Sequence, residues 1–69
     1  MKLTPYKDKN GKPIYEGDIV RFKYYGQNYF TEVVSRYKDD FLPFADIPVK
    51  YGIGNVDPEK CEIISVNFI

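Results

Sequence analysis

Apolar and polar residues alternate with period two over residues 18–23, setting Val20 and Phe22 on one face and Ile19, Arg21 and Lys23 on the other. That is the pattern of a strand with one buried and one solvated side, and it makes Val20 and Phe22 core residues. Tyr24-Tyr25-Gly26-Gln27-Asn28 predicts a turn with Gly26 at positive φ. Residues 29–37 follow, rich in β-branched and aromatic side chains, as a second strand. Its facing is split: Tyr29, Thr31, Val33, Ser35 and Tyr37 are uniformly moderate, whereas Phe30, Glu32, Val34 and Arg36 mix core and charge. A bulge near Val33 and Val34 reconciles the two sets. Lys38-Asp39-Asp40 then reads as a turn, and Phe41-Leu42-Pro43-Phe44 as a short strand that Pro43 pushes towards a sheet edge. Within residues 45–56, Pro48, Gly52 and Gly54 interrupt the chain, yet Ile47, Val49, Tyr51 and Ile53 alternate as a further strand does. Asp57-Pro58-Glu59 predicts a single turn capped by Asp57, and residues 61–69 a closing strand. Residues 1–17 form an extended arm and loop anchored by Leu3, Tyr6, Ile14 and Tyr15. About five short strands with no amphipathic helix argue for an all-β domain, a small antiparallel barrel of the SH3-like kind, with an OB-like barrel as its nearest competitor.

The densest local pattern is Asp8-Lys9-Asn10-Gly11-Lys12-Pro13-Ile14-Tyr15-Glu16-Gly17-Asp18-Ile19-Val20, in which two turns precede an alternating strand. Asn10-Gly11 supplies the residue pair that most readily takes positive φ, and Gly17-Asp18 a second bend, so at least one of Gly11 and Gly17 is expected at positive φ. This stretch resembles the start of the YopX-type family of small proteins from phages and prophages of bacteria, whose signature is close to D-x-N-G-K-x-I-Y-E-G-D-I-V. Near the end, Glu62-Ile63-Ile64 is similar to the opening of the family's E-V-I-G-N-I-Y-E-N-P-E-L-L segment. Ser65, Val66, Asn67 and Phe68 then stand where glycine, asparagine, isoleucine and tyrosine are usual, and the chain stops before the terminal E-N-P-E-L-L piece, so the resemblance implies no assembly or partner contact of that ending for this sequence. The resemblance implies the same barrel architecture and a phage or prophage gene acting in a bacterial cytoplasm. It brings no catalytic residues with it.

Sixty-nine residues make a single domain over 1–69, and a chain of this size buries only about 60% of the surface its unfolded form exposes. Twelve aromatic residues, seven of them tyrosine, supply large apolar area per residue and suit a thin barrel. No apolar run reaches the roughly 18 residues of a membrane span, and the first residues hold no apolar segment typical of a secretory signal, so the expected location is the cytoplasm. With Cys61 the only cysteine and no histidine, neither an internal disulfide nor a structural zinc site is expected. Ten basic residues balance ten acidic ones, which argues against a protein that grips nucleic acid through many phosphates. The balance is uneven, because residues 1–23 hold six basic side chains against three acidic ones.

Candidate chemistry is sparse. Without histidine the commonest general base is missing, and Cys61 at the start of an apolar strand reads as a core residue and not as a nucleophile. Asp39-Asp40 beside Lys38 reads as a solvated turn and not as a metal site. Asn10-Gly11, lacking a following helix, reads as a turn and not as a phosphate cradle. No enzyme activity and no cofactor are expected. What stands out is the aromatic crowding of Tyr24, Tyr25 and Tyr29 with Arg21 and Lys23 just upstream, the composition of protein-interface hot spots. These five residues are the expected partner-binding face, for a bacterial host protein to be inhibited or modulated, or for a second copy of the chain. The alternative occupant is single-stranded nucleic acid, for which a small barrel offers a stacking platform and zero net charge is unfavourable.

Overall fold

Alternation over residues 18–23 becomes the central strand of the molecule. The structure, a computed structural model, describes residues 2–24, 26–48, 50 and 52–65. Among these the strands are β1 (Leu3–Lys7), β2 (Pro13–Tyr15), β3 (Ile19–Lys23), β4 (Tyr29–Val33), β5 (Ser35–Tyr37), β6 (Asp40–Leu42) and β7 (Glu62–Ser65), with a 3-10 turn at Pro58–Lys60 before β7. Every pairing is antiparallel: β1 with β2, β3 between β4 and β7, and β5 with β6. Val20 and Phe22 are buried on the inner face of β3 as their alternation predicts, while Arg21 and Lys23 are exposed on the outer one. They share a core with Ile14, Val34, Phe41, Phe44, Val56 and Cys61.

The all-β reading holds, but the expected barrel of about five strands does not close among the described residues. Seven strands fall into three sheets there: residues 1–17, expected as an extended arm and loop, form the β1–β2 pair, and what reads as one strand over 29–37 is broken at Val34. The N–H of Val34 donates to the Asp18 carbonyl at 2.8 Å, and its own carbonyl accepts from Gly17 N–H at 2.8 Å. The residue is buried while Val33 before it is exposed. Val34 thus spends its backbone on the β2–β3 turn and leaves the ladder, the change of direction for which a bulge was expected. Asp40, expected in a turn, opens β6 instead, and its carboxylate accepts from the Tyr6 hydroxyl at 2.5 Å. That bond and the burial of the ring push the Tyr6 phenol up to about 12. In 45–56 no strand forms among the described residues: Asn55 N–H donates to Ala45 carbonyl and its side-chain amide to Ile47 carbonyl, which folds the segment back on itself. Val49, Tyr51, Tyr25 and residues 66–69 lie outside the described residues.

The thirteen-residue signature is a structural clasp. Asp8 is buried at 3% exposure. Its Oδ1 accepts from the Asn10 and Lys12 N–H groups, both at 2.9 Å, while Oδ2 accepts from Ile63 N–H at 3.2 Å on β7. Beside it Lys9 N–H donates to the Cys61 carbonyl at 2.8 Å. One carboxylate therefore fixes the β1–β2 loop and ties it to the closing strand. Burial pushes this carboxyl up, but the N–H groups of Lys12, Ile63 and Asn10, with the Lys12 charge, outweigh burial and hold it below the usual carboxylate range. Both signature glycines take positive φ, Gly11 at 79° and Gly17 at 98°. Gly11 N–H closes on the Asp8 carbonyl, and Asp18 N–H on that of Tyr15, so each glycine completes a tight turn that a side chain would strain. Asp18 Oδ2 accepts from Tyr15 N–H at 2.9 Å and fastens the second turn. The capping role of Asp57 is also as expected, its carboxylate accepting from Glu59 N–H at 3.0 Å.

Candidate interaction face

Register decides which side chains meet on the open side of the central sheet. Arg21 pairs with Thr31 on β4 and with Glu62 on β7, and Lys23 pairs with Tyr29, so all five stand on the face away from the core. Tyr29 is 63% exposed, with the Arg21 guanidinium carbon 5.3 Å and the Lys23 ammonium 5.1 Å from its ring centre. At these distances both cations are drawn by the negative face of the ring. Glu62 accepts from Arg21 at 2.8 Å and stands 3.8 Å from Lys9. The side chains of Lys9, Arg21, Lys23, Tyr29, Lys60 and Glu62 line a shallow depression of about 230 Å3. Four cations thus face one carboxylate, and among the described residues Lys23 and Lys60 have no acidic partner.

The structure brings together three of the five expected residues, Arg21, Lys23 and Tyr29. Tyr24 is placed differently. It is half-buried and packs edge-on against Phe22 and Phe30, with ring centres 6.3 and 6.1 Å apart, so most of its ring belongs to the core. What it shows to solvent lines a neighbouring depression with Asn55 and Asp57. Tyr25 lies outside the described residues. Lys9, Lys60 and Glu62 were not foreseen, because they arrive from a loop, a 3-10 turn and a strand distant in sequence. Of the three only Lys9 belongs to the positive surplus of residues 1–23, together with Arg21 and Lys23; no local pattern marks Lys60 or Glu62.

The other candidates resolve chemically. Cys61 is fully buried, its Sγ 3.5 Å from the Asp57 carbonyl. Burial first, then the negative charges of Asp57 and Asp8, push the thiol up to about 12, which suppresses the thiolate a nucleophile requires. The Asn10-Gly11 loop turns the N–H groups of Asn10 and Lys12 inward onto Asp8, leaving them unavailable to a phosphate. Among the described residues no three His, Cys, Asp or Glu side chains gather in a group able to hold a metal ion, and no helix there is long and apolar enough to cross a membrane. No curated protein and no solved structure matches the chain. A family model does match, that described as YopX protein, over residues 1–66, which takes in the whole Asp8 clasp, the central sheet and the basic face. The chain belongs to the YopX family.

Proposed function

We propose that this chain is a non-enzymatic interaction module of phage or prophage origin, which acts in the bacterial cytoplasm by occluding or modulating a host protein through the outer face of β3 and β4. The observation that carries this reading is Tyr29, a large exposed ring with the cations of Arg21 and Lys23 against it on the paired strands β3 and β4. An aromatic of this kind contributes contact area at low entropic cost, and tyrosine and arginine dominate the energetics of protein interfaces. The Asp8 clasp supports the same division of labour, since the signature spends its polar groups on the fold and leaves the sheet face free for recognition. We also read the three sheets as an opened form of the SH3-like barrel, with the Val34 junction leading β4 into β5 around the shared core.

The second reading is single-stranded nucleic acid stacked on Tyr29, favoured by the four cations that line the depression beside the ring and opposed by a net charge of zero. Two measurements separate the readings. Capture of one host protein from a bacterial lysate that persists as salt is raised supports the interaction module; retention on single-stranded DNA or RNA that collapses with salt supports the alternative.

A further inference from the structure

We infer that Lys23 and Lys60 together bind a phosphomonoester, the phosphorylated side chain of the partner protein, an inference that rests on the interaction reading above and names what the face recognises. The depression beside Tyr29 does not end at its own rim. Lys23 and Lys60 also line the neighbouring depression, of about 270 Å3, onto which the exposed part of Tyr24 opens, so the two depressions meet at these lysines as the lobes of one groove. Both lysines are exposed, and they come from different elements, Lys23 from the end of β3 and Lys60 from the 3-10 turn. A peptide laid along the groove would set one residue at the lysines, with its neighbours against Tyr29 in one lobe and against Tyr24 and Val56 in the other.

Charge selects the occupant. Glu62 already serves two of the four cations, accepting from Arg21 at 2.8 Å and standing 3.8 Å from Lys9. The partners of Lys23 among the described residues are neutral, the Gln27 amide oxygen at 3.4 Å and the Tyr29 ring at 5.1 Å. Asp57 shares a lobe with Lys60, but its carboxylate accepts from Glu59 N–H to cap the turn and forms no ion pair among the described residues. Two positive charges without an acidic partner, brought to one place, are matched by two negative ones. A carboxylate carries one, as does each phosphate of a nucleic-acid backbone, whereas a phosphomonoester carries about −1.5 to −2 near neutral pH, on three acceptor oxygens. A phosphorylated side chain therefore satisfies both lysines at a single residue of the partner.

The test is titration of the 69-residue chain, followed by amide chemical shifts, with a pentapeptide bearing phosphoserine at its centre and otherwise uncharged. The same peptide with serine or glutamate at the centre, and oligo-dT with and without a 5′-phosphate, serve as comparisons. The phosphoserine peptide should shift the amides of Lys23, Tyr29 and Lys60 and bind at least about tenfold more tightly than the glutamate peptide. Lys23→Gln and Lys60→Gln should each weaken it at least about fivefold while melting as the parent does. Lys38→Gln, on the β5–β6 turn and lining neither depression, should leave it unchanged. Glutamate and phosphoserine peptides of equal affinity would overturn the inference. So would an equal loss in Lys38→Gln, which marks diffuse attraction, or 5′-phosphorylated oligo-dT binding in place of the peptide. Lysate capture that survives phosphatase treatment would overturn the phosphorylated partner and leave the interaction reading standing. That reading fails separately, if capture is unchanged by Tyr29→Ala.

Discussion

Replacing Asp8 removes the tie between the first loop and the last strand, and the structure sets the size of the effect. Asp8→Ala leaves the N–H groups of Asn10, Lys12 and Ile63 without their acceptor. Hydrogen bonds to a charged group contribute about 1.5–3 kcal/mol each. Asn10 and Lys12 are exposed and their N–H groups regain water, so their share falls at the low end; the full loss is about 3–5 kcal/mol. A domain of this size has a total stability of about 3–10 kcal/mol, so the variant is largely unfolded or melts far below the parent. Asp8→Asn separates charge from shape. Its oxygen still serves Asn10 and Lys12, but its amide donor faces the Ile63 N–H, at a cost of about 2 kcal/mol. pH supplies an independent check. The folded carboxyl titrates below its ordinary value of 3.8, so its contribution is present above that pH and is lost as pH falls through the folded value. Urea melts of the parent and Asp8→Asn across the acid range should therefore converge as the pH drops. If both variants stay within about 0.5 kcal/mol of the parent near neutral pH, or the Asp8→Asn difference is unchanged in acid, the clasp does not hold the fold.

Phe22→Ala, which empties a fully buried site on β3, is expected to cost about 3 kcal/mol, lowering the melting temperature by about 12–24 °C in a thermal scan. Cys61 should react with a thiol reagent far more slowly than a free peptide thiol under native conditions and at the peptide rate once unfolded; rapid native labelling would contradict its burial. Because the Tyr6 phenol lies near 12 in the fold against its ordinary 10.0, its contribution is present below pH 10 and fades from there towards 12. Tyr6→Phe should flatten that alkaline limb in pH-dependent melts.

The central strand was legible because Val20 and Phe22 alternate strictly with Arg21 and Lys23 and little competes with that pattern. The turns at Gly11 and Gly17 were legible because positive φ has few sequence solutions. Val34 defeated the period, since its place is set by backbone bonds to Gly17 and Asp18, partners far away in sequence. Ile47 and Ile53 alternate as a strand would, yet the backbone between Ala45 and Asn55 bonds to itself, which composition does not announce. For the face, Arg21, Lys23 and Tyr29 were found by proximity along the chain. The same proximity misplaced Tyr24, whose ring the register turns towards Phe22 and Phe30. Lys9, Lys60 and Glu62 join through tertiary folding alone.

The claim that the signature builds the fold while the β3–β4 face recognises a partner is tested most directly by a paired measurement on Tyr29→Ala and Tyr24→Ala: melting temperature by thermal scan, and capture of a host protein from bacterial lysate. Tyr29→Ala should melt within a few degrees of the parent and lose capture, because its ring is 63% exposed and stands against two surface cations. Tyr24→Ala should lower the melting temperature clearly, because it removes ring contacts to Phe22 and Phe30. A Tyr29→Ala protein that captures its partner as the parent does, or that loses stability as Tyr24→Ala does, would contradict the account.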